Sequence, residues 1–169
     1  MGFRDIDVRD MENAVKMIGD DWTLITAKKT DGSINTMTAS WGFMGVLWNK
    51  PVVAIFIRPQ RYTLEFVDES ERLSLTFFRE EWRPALRLCG TKSGRDMDKV
   101  AEAKLTVCHT ENGVPYFAEA KTAVICRKLY ADWLKPECFL DPSVAATCYP
   151  KNDYHKVFIC EIEQVLAQE

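Results

Sequence analysis

The feature that most constrains the fold is a set of apolar runs of strand length that no regular series of helices separates. Residues 52–57 (VVAIFI) form a continuous apolar run, which is typical of a strand buried on both faces. Residues 22–29, 72–78, 120–134 and 155–166 predict further strands. Because strands and helices do not alternate, a doubly wound parallel sheet is disfavoured. We predict a mainly β protein, an antiparallel barrel of about six to eight strands with about two to four short helices.

Residues 34–51 (INTMTASWGFMGVLWNKP) carry many small hydroxyl side chains for an otherwise apolar run. With the two-residue period of a strand, Thr36, Thr38 and Ser40 share one face. We predict one or two strands here. The hydroxyl face fits either a wall for a polar ligand or the half-exposed side of an ordinary strand, in which Thr is common.

The remaining segments predict turns, short helices and one domain. Asp10 is positioned to cap a short helix that runs to Met17. Without a linker or an internal repeat, residues 1–169 are predicted to form a single domain, with 1–20 as an N-terminal extension. Further predictions are a hairpin turn at 31–32, helices within 64–70 and 79–104, a short strand near 105–108, and a loop-rich region at 136–153.

Composition argues against several classes of function. The formal net charge is −3, whereas a nucleic-acid partner calls for a basic face. No apolar run approaches the length of a membrane span, and the charged first residues lack the apolar core of a secretory signal. The six cysteines form no C-x-x-C pair, so no metal site is expected. These features predict a cytoplasmic protein with neither a nucleic-acid nor a membrane partner.

Two loops have the composition of an anion site. In the first, RPQRYT (58–63), Arg58 and Arg61 stand between a buried strand and the start of a predicted helix. Helix N-termini present unpaired N–H groups and a partial positive charge, so these arginines and the Thr63 hydroxyl would suit an anion. The alternative is that Thr63 only caps the helix and the arginines lie in water.

The second loop, TKSGRDMDK (91–99), has the S-x-x-D pattern of a capped helix start, with Ser93 as the cap and Asp96 in the first turn. Gly94 allows the backbone to approach a ligand closely. An ordinary capped helix with mixed charges explains the loop equally well. Two such loops in an acidic protein nevertheless suggest one phosphorylated ligand, whose monoester carries a charge of about −1.5 to −2. The basic residues of this loop are Lys92, Arg95 and Lys99.

Four motifs in order, NTMTASW, W-x-K-P, RPQRYT and SGRDMDK, give the chain a resemblance to the flavin reductase-like family, which includes flavoredoxin. The resemblance covers residues 22–166. It implies an FMN-binding split barrel, which is an antiparallel Greek-key barrel that forms a homodimer. FMN is the implied cofactor, and it would lie in a groove near the dimer interface.

Carried over by position, the resemblance places residues 38–41 beside the flavin. Their backbone N–H groups and the hydroxyls of Thr38 and Ser40 would bond the isoalloxazine ring and the ribityl chain. The opposite face of the same strand, with Met37 and Trp41, would fill the core. The ligand would then explain why this strand carries hydroxyls.

The resemblance also places the FMN phosphate between the two basic loops. Arg61 and Thr63 would bind it from the first loop, and Ser93 and Lys99 from the second. The full set of cofactor-binding residues implied in this way is Thr38, Ala39, Ser40, Trp41, Arg58, Arg61, Tyr62, Thr63, Ser93, Gly94, Arg95, Asp96 and Lys99.

The last strand matches the family only in part. His155 and Glu161 fit its pattern, but Cys160 stands where Gly is common. A larger side chain there would narrow the flavin pocket or change a dimer contact, and a structural role explains His155 as well as a role in the site. No catalytic side chain is expected, because the flavin itself would carry the chemistry.

The function implied is that of an oxidoreductase, an NAD(P)H-dependent flavin reductase that transfers a hydride from nicotinamide to flavin. A free flavin or a redox protein would then accept the electrons. One alternative is an FMN electron carrier that a protein donor reduces. Another is a barrel that holds FMN, haem or another phosphorylated ligand without turnover.

Overall fold

The computed structural model describes residues 2–169, which fold into an antiparallel sheet with short helices around it. The strands are β1 (Phe3–Asp5), β2 (Thr23–Lys28), β3 (Ile34–Ala39), β4 (Gly42–Leu47), β5 (Lys50–Ile57), β6 (Arg72–Phe77), β7 (Val107–His109), β8 (Pro115–Phe117), β9 (Thr122–Trp133) and β10 (Lys156–Gln168). The α-helices are α1 (Ala14–Lys16), α2 (Thr63–Glu69), α3 (Arg83–Thr91), α4 (Lys99–Glu102) and α5 (Pro142–Cys148). Single turns of other helix types occur at Val8–Asp10, Met17–Asp21, Glu80–Trp82 and Pro136–Cys138.

The sheet is a barrel that is split at one corner. Among residues 2–169, hydrogen-bonded strands follow the order β3-β2-β6-β9-β10-β5-β4, and β1 pairs with the end of β10. β3 and β4 lie at opposite ends of this order, although only Ser40 and Trp41 separate them in the chain. The two edges of the sheet therefore adjoin at this corner, and no ladder of hydrogen bonds joins them in the described part of the chain.

The corner depends on a glycine at the start of β4. Gly42 has φ +154°, and a Cβ at this position would lie 2.7 Å from the carbonyl oxygen of Ala54 on β5. Any other side chain would push β4 away from β5, so the close approach of these strands requires glycine here.

Two apolar clusters hold the elements around the corner. The first fills the barrel interior, and the second lies under α3 and packs that helix against the sheet. Full burial of each large apolar side chain contributes about 1.5–3 kcal/mol. Representative members are Ile25, Val53, Leu75 and Phe158 in the first cluster and Leu24, Phe78, Leu86 and Phe117 in the second.

The predicted mainly β class and antiparallel barrel are confirmed. Residues 34–51 form two strands and the start of a third, and the long apolar runs all become strands. β1 and β8 were not predicted, because strands of three residues are too short to show a period. The predicted strands correspond to the observed ones as follows: 22–29 to β2, 52–57 to β5, 72–78 to β6, 120–134 to β9 and 155–166 to β10.

The predicted cap of the first helix is wrong. α1 begins at Ala14, and its cap is Asn13, whose side chain accepts hydrogen bonds from two backbone N–H groups. Asp10 instead ends a separate turn that Asp7 caps. Among residues 2–169, no helix combines the length and apolar composition that crossing a membrane requires.

The capping box predicted for the second loop is also wrong. The helix after this loop begins at Lys99, and Asp98 caps it through the N–H groups of residues 100 and 101. The Ser93 hydroxyl accepts a hydrogen bond from the backbone N–H of Arg95 at 3.2 Å, and the Ser93 carbonyl accepts one from the N–H of Asp96 at 3.1 Å. Asp96 lies in the loop before the helix.

Candidate functional site

A cleft of about 150 Å³ opens at the split corner of the barrel. One wall is the chain from β3 to β4, and the other comes from the end of β5 and the start of β10. These two ends adjoin because Ile57 and Lys156 are partners in the β5–β10 ladder. The lining residues are Met37, Thr38, Ala39, Ser40, Trp41, Phe56, Arg58, Arg61 and His155.

Two basic side chains meet beside this cleft without an acidic partner. Arg61 Nη2 and Lys99 Nζ both donate to the backbone carbonyl of Cys89, at 3.4 and 3.2 Å. Lys99 is only 4% exposed, and neither cation forms an ion pair with a residue in the range 2–169. A buried charge without a counter-ion is costly. The pair therefore favours an anionic ligand at this point.

Burial lowers the pKa of both cations. The pKa of Lys99 falls from 10.5 to about 8, chiefly because burial disfavours the charged ammonium, and the neighbouring Arg61 charge lowers it further. The pKa of Arg61 is also lowered by burial, but a guanidinium stays protonated. A bound dianion would oppose both effects and hold the proton on Lys99.

The position of α3 explains why these groups converge. Its last turn carries Cys89 and Gly90. A Cβ at Gly90 would lie 3.3 Å from the Cβ of Thr38, so glycine lets the helix lie close against β3. The Thr38 hydroxyl donates to the carbonyl of Leu86, one turn earlier. The end of α3 is thereby fixed between the loops that supply Arg61 and Lys99.

Asn35 links the two basic loops, and the sequence analysis did not single it out. It is buried in β3, and its amide nitrogen donates to the Thr63 hydroxyl at 2.9 Å. A Cβ at Gly94 would overlap the amide oxygen of Asn35. An amide on the same strand face as the buried Met37 was the signal that could have revealed this residue.

Most hydroxyls of β3 are satisfied by the protein itself. Thr36 is fully buried, and its hydroxyl lies 2.9 Å from that of Thr26 and 3.1 Å from the carbonyl of Ile25. The Thr38 hydroxyl donates to Leu86, as described above. A ligand is therefore not needed to explain these hydroxyls, while Ser40 is half-buried and lines the cleft.

Of the two residues predicted to fill the core, Met37 is buried and Trp41 is not. Met37 is 4% exposed and belongs to the barrel core, as predicted. The prediction for Trp41 is wrong, because its side chain is 49% exposed at the mouth of the cleft. The strand period stops at Ala39, so the alternation of faces does not extend to Trp41.

His155 forms part of the cleft wall and is buried. Its ring centroid lies 5.4 Å from that of Trp41, and its Nδ1 is 2.7 Å from the Tyr149 hydroxyl. Burial, and secondarily the charge of Arg58, lower the pKa of His155 from 6.5 to about 4. The imidazole is therefore neutral at pH 7.

Arg58 is engaged by the segment that follows β9. Its Nη1 donates to Asp153 Oδ2 at 2.6 Å, and its Nη2 donates to the carbonyl of Cys148 at 3.0 Å. Its guanidinium also lies over the Tyr149 ring, 5.0 Å from the centroid. The segment predicted as loop-rich, 136–153, thus contains α5 and packs against the cleft through Arg58.

The other predicted residues of the two loops lie farther out. Arg95 is exposed, pairs with Glu65 and stacks over the Tyr62 ring at 4.5 Å. Tyr62 packs edge-on against Phe66, with centroids 5.0 Å apart. Asp96 is exposed. The structure therefore links Arg61 with Lys99 through the Cys89 carbonyl, and Thr63 with Gly94 through Asn35. The side chains of Tyr62, Arg95 and Asp96 take other partners or face solvent.

Cys160 lies in the barrel core and does not line the cleft. It is fully buried, and its ladder partners are Val53 on β5 and Lys128 on β9. Burial raises the pKa of its thiol to about 12. β10 turns this side chain toward the interior, so it does not narrow the cleft. An effect of Cys160 on a dimer contact stays a prediction.

Comparison with known proteins agrees with this fold. Residues 18–169 match the family described as the flavin reductase like domain, so the chain belongs to the flavin reductase-like family. No curated protein shows significant sequence similarity to the chain.

Solved structures with the same fold include three FMN- or redox-related proteins. An FMN-binding domain of a flavin reductases-like enzyme from Shewanella baltica OS155 has a TM-score of 0.71 and 15% identity, covering 98% of this chain and 77% of its own. Flavoredoxin of Desulfovibrio vulgaris (Miyazaki F) has a TM-score of 0.68 and 21% identity, covering 88% and 69%. Nitrilotriacetate monooxygenase component B from Bacillus cereus has a TM-score of 0.70 and 16% identity, covering 98% and 82%.

Proposed function

We propose that the protein binds FMN at the split corner and acts as an NAD(P)H-dependent flavin reductase. The observation that carries this proposal is a pair of cations, Arg61 and Lys99, that meet without an acidic partner among the described residues. They lie beside a cleft that aromatic side chains help to line. Membership of the flavin reductase-like family and the FMN-binding structural neighbour support the choice of ligand.

The donor set fits a phosphate monoester. A dianion matches two cations, and its oxygens accept charge-assisted hydrogen bonds from a guanidinium and an ammonium. Arg61 and Lys99 would hold it, and the Thr63 hydroxyl, which accepts from Asn35, keeps its own proton for a further bond. The Arg61 bond to the Cys89 carbonyl, at 3.4 Å, is longer than an ordinary N–H···O bond, and the Lys99 bond, at 3.2 Å, is at the upper end of the range. Stronger charge-assisted bonds to a phosphate would replace them.

The cleft from Thr38 to Trp41 would hold the planar part of the cofactor. When bound, FMN supplies hydride and electron transfer, which this chain's side chains do not provide. The backbone of residues 38–41 would position the ring, and the rings of Trp41, Phe56 and His155 would exclude water from it. Reactants held about 3–3.5 Å apart would then react without a side-chain acid or base.

A specific observation also favours the electron carrier as a second candidate. Trp41 at the cleft mouth and Phe43 beside it are 49% and 59% exposed, which would suit docking of a protein donor. Stopped-flow mixing of the FMN-loaded protein with NADH and NADPH separates the two functions. Rapid bleaching of the flavin supports the reductase, and bleaching only by a reduced protein donor supports the carrier.

The phosphate assignment is tested with two arginine variants. Arg61→Ala is expected to weaken FMN binding by about 1.5–3 kcal/mol, the range of a charge-assisted hydrogen bond. Arg95→Ala is the matched control, because this arginine is exposed and already pairs with Glu65. Equal affinities of the two variants in a fluorescence titration would remove the phosphate site from this corner.

We also propose that the protein is a cytoplasmic homodimer that associates through β4. Phe43, Val46 and Leu47 on this edge strand, and Trp48 in the turn that follows it, are between 39% and 79% exposed, and such a patch suits an interface. The cysteines in the described residues are all free, which suits a reducing compartment. Sedimentation of wild type and Val46→Lys tests the interface: a wild-type monomer contradicts it.

A further inference from the structure

The imidazole of His155 is held in one orientation by its surroundings. The side chain is 6% exposed, and three aromatic rings enclose it. Their centroids lie 5.4 Å away for Trp41, 5.4 Å for Tyr149 and 6.3 Å for Phe56. The His155 carbonyl accepts from the backbone N–H of Leu134 at 2.9 Å, so the main chain is fixed as well.

The two ring nitrogens of His155 face different environments. Nδ1 lies 2.7 Å from the Tyr149 hydroxyl. Nε2 has no hydrogen-bond partner within residues 2–169, yet it is not among their fully enclosed unpaired polar atoms. Since His155 lines the cleft, Nε2 is the nitrogen that reaches it.

The bond to Tyr149 selects a tautomer. A neutral imidazole carries one N–H, and the Tyr149 hydroxyl has no other acceptor among the described residues. With the hydroxyl as the donor to Nδ1, the ring proton stays on Nε2. The low pKa of His155, which burial and Arg58 produce against the opposing charge of Asp153, agrees with a neutral ring.

We propose that Tyr149 is a positioning residue that fixes the Nε2–H tautomer of His155, so that Nε2–H is a donor to a ring-borne carbonyl oxygen of the ligand in the cleft. This inference rests on the proposed function, because both the flavin ring and the nicotinamide carboxamide carry such an oxygen. Tyr149 lies in the segment after β9. This segment would therefore influence ligand binding by setting the tautomer of His155, without contacting the ligand itself.

The tautomer is tested in the free protein by long-range ¹H–¹⁵N correlation spectroscopy of the histidine rings. The chain has two histidines, and His109→Gln removes the other signal set. Wild type is expected to show a pyridine-type Nδ1 and a pyrrole-type Nε2 for His155 at pH 7. Tyr149→Phe is expected to mix the two tautomers and to raise the pKa of His155, because the donor to the neutral ring is lost.

Tyr154→Phe is the matched control. The Tyr154 ring stacks on that of Tyr149, with centroids 4.8 Å apart, but its hydroxyl makes no hydrogen bond to His155. This variant should keep the wild-type tautomer. A wild-type ring protonated on Nδ1, or a Tyr149→Phe spectrum equal to that of Tyr154→Phe, overturns the positioning role.

The identity of the carbonyl follows from two binding measurements on the same variants. Tyr149→Phe is expected to weaken one ligand by about 2- to 12-fold, the range of one neutral hydrogen bond. A weaker FMN affinity assigns the flavin carbonyl, and a higher KM for NADH at unchanged kcat assigns the carboxamide. No change in either overturns the ligand part of the inference. Failure of the proposed function is seen separately, as wild-type protein that does not bind FMN.

Discussion

At the scale of single residues, Lys99 links the stability of the free protein to its ligand. Its pKa is about 8 in the folded chain and near 10.5 when unfolded, so the unfolded chain holds more protons between these pH values. The contribution of Lys99 to stability therefore rises as pH increases from about 8 to about 10.5, and below pH 8 its buried charge destabilises the fold.

Lys99→Met tests this link. At pH 7, and without ligand, we expect the free energy of unfolding in urea to rise by about 1–3 kcal/mol, because an unpaired buried charge is replaced by an apolar chain. FMN affinity should fall at the same time. Lys92→Met, at an exposed lysine of the same loop, should change neither quantity. A less stable Lys99→Met protein contradicts the account of the buried cation.

The same pKa predicts a pH dependence of binding. FMN affinity should decrease as pH rises above about 8, because Lys99 in the free protein loses its proton and must regain it to pair with the phosphate. Fluorescence titrations between pH 7 and 10 measure this decrease. In Lys99→Met the affinity should be flat over that range, and an equally steep decrease in the variant would assign the titration to another group.

We expect that only glycine fits at position 94, because the Asn35 side chain lies against its Cα. Gly94→Ala should lower the free energy of unfolding by about 1–3 kcal/mol, since the new methyl overlaps the Asn35 amide that bonds Thr63. Gly45→Ala is the control, because no atom lies within 4 Å of a Cβ there. The double variant Asn35→Ala/Gly94→Ala should recover part of the loss, and a fully additive cycle would contradict the contact.

At the residue scale, the charge of the two loops led to the prediction of Arg61 and Lys99, and the structure brings both to the Cys89 carbonyl. That they bind an anion stays a prediction. Arg58 was grouped with them, but its carboxylate partner, Asp153, lies 95 residues away in the chain. Tyr149 gave no sequence signal, because its role depends on His155.

At the scale of elements, hydrogen bonds from the end of β5 and the loop after it hold the segment between β9 and β10 against the barrel. Arg58 donates to Asp153 and to the carbonyl of Cys148, and Gln60 donates to Asp153. Arg58→Ala removes both bonds of the arginine. We expect faster amide hydrogen exchange in residues 136–153 and only a small change in phosphate affinity, much smaller than that of Arg61→Ala.

Asp153→Asn is the companion variant, since it weakens the same ion pair from the other side. It should raise exchange in the same residues by a smaller factor, because the amide still accepts a hydrogen bond from Arg58. Loss of FMN binding in Arg58→Ala as large as in Arg61→Ala would return Arg58 to the phosphate site.

Element boundaries show which part of the fold the sequence specifies. The apolar runs of β5 and of the first half of β9 follow from composition, because a strand buried on both faces needs apolar residues at successive positions. Each helix start depends on one capping residue, and an Asp or Ser nearby is not enough: Asn13 and Asp98 form the caps. The β4–β5 turn has Trp48 and Asn49 at positive φ, which no sequence rule predicts for a Trp.

At the scale of the whole molecule, the topology explains where the site lies. β3 and β4 follow each other in the chain, but they are the edge strands at opposite ends of the sheet. The barrel therefore splits at residues 40 and 41, which join them. The cleft opens there, and α3 and the two basic loops surround its end. The sequence predicted the barrel class, whereas the split requires strand pairings that link distant parts of the chain.

Binding of FMN at this corner is tested by the visible absorption spectrum of the protein during titration with FMN. We expect a saturable, perturbed flavin spectrum at one FMN per chain, and no saturation at the same FMN concentrations in Arg61→Ala. An unperturbed flavin spectrum in folded wild-type protein would contradict the account and leave the two cations to another anion.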